Sequence, residues 1–183
     1  DLACIAYEDL IYYQSFDRAW LHEVLTSQPL SQVLDLDWDY QICSIQPAIS
    51  YDFLVGWTKE PAISSDLIRQ VKGAINEVFL KESQSAVRIL EKGLREGKQR
   101  EIEASIKRAD KNLKSLNPLI YTPALKELQE ATEGLSVCAK SSGAGGGDCG
   151  IALSFDPVET QTLIERWKEK NIEVIYQERM GDS

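Results

Sequence analysis

The glycine-rich segment at residues 140–150 (KSSGAGGGDCG) is the sequence feature that most restricts the fold of this chain. Its glycines permit positive φ angles and carry no side chain that would hold a ligand away from the backbone. Successive N–H groups in such a turn can converge on an anion, and the two serines ahead of them add hydroxyl donors. An apolar run at residues 151–155 (IALSF) follows at once. The segment therefore predicts a tight, phosphate-binding loop that leads directly into a strand.

We compared this segment with the known glycine-rich motifs that bind phosphate groups. A Walker A loop ends in Gly-Lys-Ser/Thr, which is absent here. Gly145, Gly147 and Gly150 match the spacing of a dinucleotide-binding fingerprint, but that fingerprint opens a helix, whereas this segment opens a strand. A flexible linker is the alternative that composition leaves open. Direct attachment to a hydrophobic strand favours the anion-binding loop over the linker.

Composition excludes some classes of function. The chain has 183 residues, 43% of them hydrophobic, which is enough for the core of one domain or of one large part of a bigger enzyme. The net charge of −9 argues against a nucleic-acid-binding surface. No apolar run approaches the length of a membrane span, and no signal peptide is visible. A small anion remains a possible ligand, because a few local donors are sufficient to bind one.

Thiols and imidazoles give no metal-site pattern. The four cysteines are scattered without a C-x-x-C pair, which predicts reduced thiols and a cytoplasmic protein. His22 is the only histidine, and its neighbours predict a surface helix position. We therefore expect no metal site built from these residue types.

Hydrophobic periodicity predicts helices and strands without the regular alternation of a parallel sheet. This indicates an α+β fold, with an antiparallel sheet and helices packed on one face. Proline at a first helical position predicts helices that begin after Thr122 and after Asp156. The other predicted helices cover residues 1–10, 19–35, 83–96 and 99–115, with one more carrying Leu67, Ile68, Val71, Ile75, Val78 and Phe79. The predicted strands cover residues 11–16, 40–46, 52–58, 149–155 and 172–176, with a short extended piece at 137–139.

Residues 139–150 resemble the third motif of the GHMP small-molecule kinases. That motif has glycine where this chain has Asp148, and aspartate there, after Lys140-Ser141-Ser142, resembles the bacterial phosphomevalonate kinases in particular. The resemblance extends along the whole chain. Further segments similar to those enzymes are residues 1–6 (DLACIA), 13–18 (YQSFDR), 53–59 (FLVGWTK) and 176–179 (YQER).

The resemblance implies a domain organisation. Residues 1–18 would be the tail end of an N-terminal kinase domain, beginning within its Ser-x-Gly-Asp segment. Residues 19–183 would form a ferredoxin-like GHMP kinase C-terminal domain. The family's first motif and its Gly-Leu-Gly-Ser-Ser phosphate loop would lie upstream of Asp1. The sequence after Arg18 is also shorter than expected, so the Arg18–Ala19 junction is a candidate site for a missing loop.

The resemblance also implies an activity. Such kinases use ATP and Mg²⁺ to phosphorylate (R)-5-phosphomevalonate to 5-diphosphomevalonate, in the mevalonate route to isoprenoids. This chain would be the acceptor-side part, inactive without its N-terminal domain, with no nucleic-acid or membrane partner. Two alternatives remain: another GHMP kinase, such as a mevalonate or homoserine kinase, or a non-catalytic α+β module that binds small anions.

Site residues follow from the match. Asp1 corresponds to the family's active-site aspartate and would orient Mg²⁺ or a lysine, although it is also a plausible helix cap. Ser64 corresponds to an acceptor contact and is likewise a plausible cap. In the glycine-rich segment, the expected contacts to the acceptor are Ser142, Gly143, Ala144 and Gly145. The residues expected to shape the loop are Lys140, Ser141, Gly146, Gly147 and Asp148.

Overall fold

The computed structural model of the chain describes residues 2–61, 71, 73–143 and 145–181. The chain divides into two compact units, Asp1–Gln46 and Pro47–Ser183, which we describe separately. The predicted boundary between residues 18 and 19 stays a prediction.

The first unit is a small helical segment with one strand pair. Strands β1 and β2 pair antiparallel, with Ile11 opposite Ser44. Residues 19–35 contain two helices rather than the single helix predicted, because Pro29 has no amide hydrogen with which to continue the first helix. The elements are α1 (Leu2–Tyr7), β1 (Ile11–Gln14), α2 (Arg18–Ser27), α3 (Leu30–Val33) and β2 (Gln41–Ser44).

The second unit contains a four-stranded sheet in the order β4-β5-β3-β6, in which every neighbouring pair is antiparallel. The predicted α+β class is confirmed. In chain order the elements are β3 (Tyr51–Trp57), α4 (Glu77–Glu96), α5 (Gln99–Leu116), a 3₁₀ turn (Pro118–Ile120), α6 (Pro123–Glu130), β4 (Val137–Ser141), β5 (Cys149–Ser154), α7 (Pro157–Glu169) and β6 (Glu173–Met180).

One face of this sheet carries the core. Leu54 of β3 lies opposite Ala152 of β5, which lies opposite Ala139 of β4, so their side chains share a face. Helices α6 and α7 cover that face with buried leucines and with Trp167, which is 0% exposed. The indole Nε1 of Trp167 donates to the carbonyl of Leu128 at 2.9 Å and so joins the two helices. This packing holds the ends of β4 and β5 at fixed positions.

Helix boundaries follow local capping chemistry. Thr122 and Asp156 cap α6 and α7 with their side-chain oxygens, as the following prolines predicted. Gly97, at φ +66°, ends α4 where the sequence indicated a break. The helix predicted to contain Val71, Ile75, Val78 and Phe79 is wrong at Ile75, because Asn76 caps α4 by accepting from the Phe79 amide at 3.0 Å and Ile75 precedes that cap. The first two residues of that prediction, Leu67 and Ile68, lie outside the described residues. No described helix is long and apolar enough to cross a membrane.

We expect stability to fall at alkaline pH, in part through Tyr51. Burial, with a smaller contribution from Glu178, raises the pKa of Tyr51 to about 12 from its ordinary value of 10.0. The unfolded chain therefore loses this proton first, and stability falls as pH rises from about 10 to about 12. Chemical unfolding of Tyr51→Phe across this range should show a shallower fall than the unsubstituted chain. Identical slopes would contradict a contribution from Tyr51.

Candidate functional site

The glycine loop, defined as residues 142–148, joins β4 to β5. The two strands pair up to Ser141 and Gly150. Beyond them the Ser142 amide donates to the Cys149 carbonyl at 3.0 Å, and the Ser142 hydroxyl donates to the same oxygen at 2.9 Å. The loop is thus the closed end of a hairpin, which disfavours the flexible-linker interpretation.

The second half of the loop is packed against the protein. Gly145 has φ +80°, and a Cβ added there would lie 2.4 Å from the Ile120 carbonyl oxygen. The Gly146 amide donates to that same oxygen at 2.8 Å. Gly147 has φ +121°, and an added Cβ would meet the carbonyl oxygens of Glu60 and Pro61 at 3.2 and 3.1 Å. These glycines are required by backbone conformation and by close approach of the chain.

Asp148 fixes the end of the loop through its main chain. It adopts φ +65°, its amide donates to the Glu60 carbonyl at 2.6 Å, and its carbonyl accepts from the amide and the hydroxyl of Thr58, each at 2.8 Å. Thr58 is 5% exposed. Sequence reasoning did not assign it a role, although it is the polar residue that ends the hydrophobic strand of the matching segment at 53–59.

The residues that flank the loop are partly or fully buried. Lys140 Nζ donates to the Ser141 carbonyl, and burial lowers the pKa of Lys140. Burial, together with the negative charge and hydrogen bond of Asp148, raises the pKa of the Cys149 thiol, which keeps that thiol protonated. The Ser141 side chain is 1% exposed, so Ser141 belongs to the support of the loop.

The first half of the loop is open. Ser142 and Gly143 are exposed, and a Cβ added to Gly143 would have no described atom within 4 Å. Within the described residues, no group accepts the Gly143 amide hydrogen. The amides of Gly146 and Asp148, by contrast, already have carbonyl partners. Among the described loop residues, an anion therefore has its clearest approach at Ser142 and Gly143.

Three of the predicted site residues, Asp1, Ser64 and Ala144, lie outside the described residues. The structure brings Lys140, Ser141, Ser142, Gly143, Gly145, Gly146, Gly147 and Asp148 together in the hairpin. Within the described part of the chain, no group of three or more His, Cys, Asp and Glu side chains is arranged to hold a metal ion.

Residues 90–173, which include β4, the glycine loop and β5, match the model of the GHMP kinases C-terminal family. This chain carries a GHMP kinase C-terminal domain at residues 90–173. Strands β4 and β5 and the glycine loop lie within the matched residues, whereas β3 precedes them, and the predicted resemblance is confirmed.

Two phosphomevalonate kinases are similar to this chain. The chain is 31% identical over 164 residues to the phosphomevalonate kinase of Streptomyces sp. (strain CL190), covering 84% of this chain and 44% of that enzyme. It is 50% identical to Streptococcus pneumoniae phosphomevalonate kinase, solved in complex with phosphomevalonate and AMPPNP, with a TM-score of 0.93 over 98% of this chain and 55% of that one. The chain thus spans about half the length of each of these relatives.

A mevalonate kinase of much lower sequence identity shares the fold alone. The structure of L. major mevalonate kinase in complex with R-mevalonate matches with a TM-score of 0.64 at 16% identity, over 76% of this chain and 44% of that one. The similarity to phosphomevalonate kinases is therefore much stronger than the similarity to this mevalonate kinase, and the mevalonate kinase alternative is not favoured.

Thr58→Val should loosen the end of the loop. The change keeps the shape of the side chain but removes the hydroxyl that donates to the Asp148 carbonyl. We expect a loss of roughly 1 kcal/mol or more in the free energy of unfolding, since the hydroxyl also accepts from the Glu60 amide at 3.4 Å, so two hydrogen bonds are removed while the Thr58 amide keeps its own. Thr162→Val is the matched control, because its hydroxyl bonds to the Val158 carbonyl at an exposed position. Equal effects of the two substitutions in urea unfolding would contradict a specific role for Thr58.

Proposed function

We propose that this chain is the acceptor-side part of a phosphomevalonate kinase, which transfers the γ-phosphoryl group of ATP to (R)-5-phosphomevalonate. The proposal depends on one structural observation, a glycine loop whose second half is packed and hydrogen-bonded while Ser142 and Gly143 are open. The chain is similar to two phosphomevalonate kinases, one of them solved with phosphomevalonate and AMPPNP. This similarity supports the choice of substrate.

The open half of the loop suits a phosphate acceptor. Phosphoryl transfer asks a protein mainly for positioning and for stabilisation of negative charge. The Gly143 amide offers a neutral donor, and the Ser142 hydroxyl reaches the same space if it rotates away from the Cys149 carbonyl. The Gly143 amide, fixed in a preformed loop, needs no reorganisation when the anion binds, whereas the Ser142 hydroxyl must rotate. We assign Ala144 and Gly145 to the same acceptor site from the family match, and we assign the support of the loop to Lys140, Ser141, Gly146, Gly147 and Asp148.

We place the nucleotide and its metal ion outside the glycine loop. Within the described residues, no group of three or more His, Cys, Asp and Glu side chains is arranged to hold a metal ion. We assign ATP and Mg²⁺ to the part of the relatives that this chain does not span. Asp1 and Ser64 keep their proposed roles, Asp1 in orienting a cation at the reacting phosphates and Ser64 in contacting the acceptor. Cytoplasm remains the proposed compartment.

Calorimetry with three ligands tests the substrate assignment. Phosphomevalonate should bind the chain, whereas mevalonate, which lacks the phosphate, should bind much more weakly. Inorganic phosphate separates the proposal from the alternative of a general small-anion module. If inorganic phosphate binds as tightly as phosphomevalonate, the module is the better description; if mevalonate does, a mevalonate kinase is.

A coupled enzyme assay tests the proposal that the nucleotide-binding part of the kinase lies outside this chain. With ATP, Mg²⁺ and phosphomevalonate, the 183-residue chain should show no turnover, because the nucleotide-binding part is assigned elsewhere. Phosphomevalonate-dependent ADP formation by the chain alone would contradict that assignment.

A further inference from the structure

A network of polar side chains lies behind the outer edge of β4, the edge strand of the sheet. The Ser142 amide points across the hairpin to the Cys149 carbonyl, so the preceding amide, that of Ser141, points away from β5. That outward amide donates to the hydroxyl of Tyr121 at 3.2 Å. The outward carbonyl of Ala139 accepts from Gln129 Nε2 at 3.1 Å. Side chains thus satisfy the outer edge of β4 where it approaches the glycine loop.

Asp110 of α5 is the centre of this network. Its carboxylate accepts from Gln129 Nε2 at 2.6 Å and from Lys114 Nζ at 2.8 Å. Lys114 Nζ also lies 4.7 Å from the centre of the Tyr121 ring, on its face. Asp110 is only 9% exposed, so these partners are what make its burial tolerable.

Tyr121 contacts the end of β4. It is 3% exposed, and its hydroxyl oxygen accepts from the Ser141 amide at 3.2 Å. Burial, with a smaller contribution from the nearby Asp110, raises the pKa of Tyr121, so the hydroxyl stays protonated. Ser141 is the last residue of β4, and the open half of the loop begins immediately after it.

We propose that Tyr121 is a positioning residue for the acceptor loop, because its hydroxyl accepts from the Ser141 amide and so fixes the point at which Ser142 and Gly143 leave the sheet. The inference rests on the proposed function, since it takes the loop to be the phosphomevalonate site. Tyr121 does not touch the acceptor in this scheme; it acts through the Ser141 amide. The 3₁₀ turn that precedes Tyr121 also holds the loop, because its Ile120 carbonyl accepts a hydrogen bond from the Gly146 amide.

Two variants test this inference on the whole 183-residue chain. Tyr121→Phe removes the hydroxyl and leaves the ring in place. Asp110→Asn keeps the size of the side chain but replaces one of its two acceptor oxygens with a donor, so one of the present donors to Asp110 loses its partner. Tyr51→Phe is the matched control, since it removes a hydroxyl from another buried tyrosine, one whose ring packs against Phe155.

Amide hydrogen exchange and phosphomevalonate affinity are the two readouts. In Tyr121→Phe we expect exchange at the Ser141 amide to accelerate about 10-fold or more and affinity to fall about 10-fold, with a smaller shift of both in Asp110→Asn. The Asp148 amide, held by Glu60, should exchange as before. Tyr51→Phe should leave both readouts unchanged.

The outcomes separate the inference from the proposed function. Equal acceleration at Ser141 and Asp148 would show a general loss of stability and would overturn the positioning role. Unchanged phosphomevalonate affinity in Tyr121→Phe, in a chain that binds phosphomevalonate, would overturn the inference and leave the proposed function standing. Absence of binding by the unsubstituted chain would overturn both, whatever the exchange rates.

Discussion

Gly145→Ala is expected to lower the free energy of unfolding by about 3 kcal/mol or more. The residue has φ +80°, and its new Cβ would lie 2.4 Å from the Ile120 carbonyl oxygen and 2.5 Å from Ile120 Cγ2. Backbone strain of this kind costs about 1–3 kcal/mol, and overpacking in a close contact costs about as much again. For a chain of this size the loss corresponds to a fall of roughly 10 °C in the unfolding temperature.

Gly134→Ala is the matched control for this prediction. Gly134 has φ +78°, but a Cβ added there would have no described atom within 4 Å. Gly134→Ala should therefore lower the free energy of unfolding only by the backbone strain, roughly 1 kcal/mol. Calorimetric unfolding of both variants isolates the cost of the contact with Ile120. Similar losses in the two variants would show that the second half of the loop is less tightly packed than the structure indicates.

Gly143→Asp is expected to abolish phosphomevalonate binding without changing the stability of the chain. The position is open, so the new Cβ meets no described atom within 4 Å, and the side chain places a carboxylate where the acceptor phosphate is proposed to lie. Two like charges about 4 Å apart near a protein surface repel by about 4 kcal/mol, so affinity should fall by roughly 100-fold or more. Calorimetric titration with phosphomevalonate and thermal unfolding measure the two quantities.

Gly143→Ala shows whether charge or bulk is responsible. Alanine adds a methyl group without charge at the same open position, and we expect it to retain most of the affinity. The defect of Gly143→Asp should also shrink at high salt, because mobile ions screen exposed charges. Full affinity in Gly143→Asp would mean that the acceptor phosphate binds away from the open half of the loop.

Much of the fold follows from local sequence signals. Proline after Thr122 and after Asp156 predicted where two helices begin, and Gly97 predicted where another ends. These boundaries can be predicted from the sequence because a capping or helix-breaking residue acts on neighbours only a few residues away. The glycine loop was readable for the same reason, since positive φ at Gly145, Gly146 and Gly147 is a local property.

The support of the loop could not be read from the sequence. Thr58, Ile120 and Tyr121 contact the loop or the end of β4 from segments tens of residues away, and their roles depend on tertiary packing. Local sequence signals also could not show that the amides of Gly146 and Asp148 donate hydrogen bonds to backbone carbonyls. The anion site predicted from the glycine-rich turn stays a prediction, and only the structure divides the loop into an open half and a supported half.

A phosphomevalonate titration followed by amide chemical shifts tests the central claim most directly. With the isotope-labelled chain, increasing phosphomevalonate should shift the amide resonances of Ser142 and Gly143 first and most, with much smaller changes on adding mevalonate. The Asp148 amide, bonded to the Glu60 carbonyl at 2.6 Å, should move less. Saturable shifts confined to another part of the chain, or no shifts at all, would contradict the assignment of the glycine loop as the acceptor site.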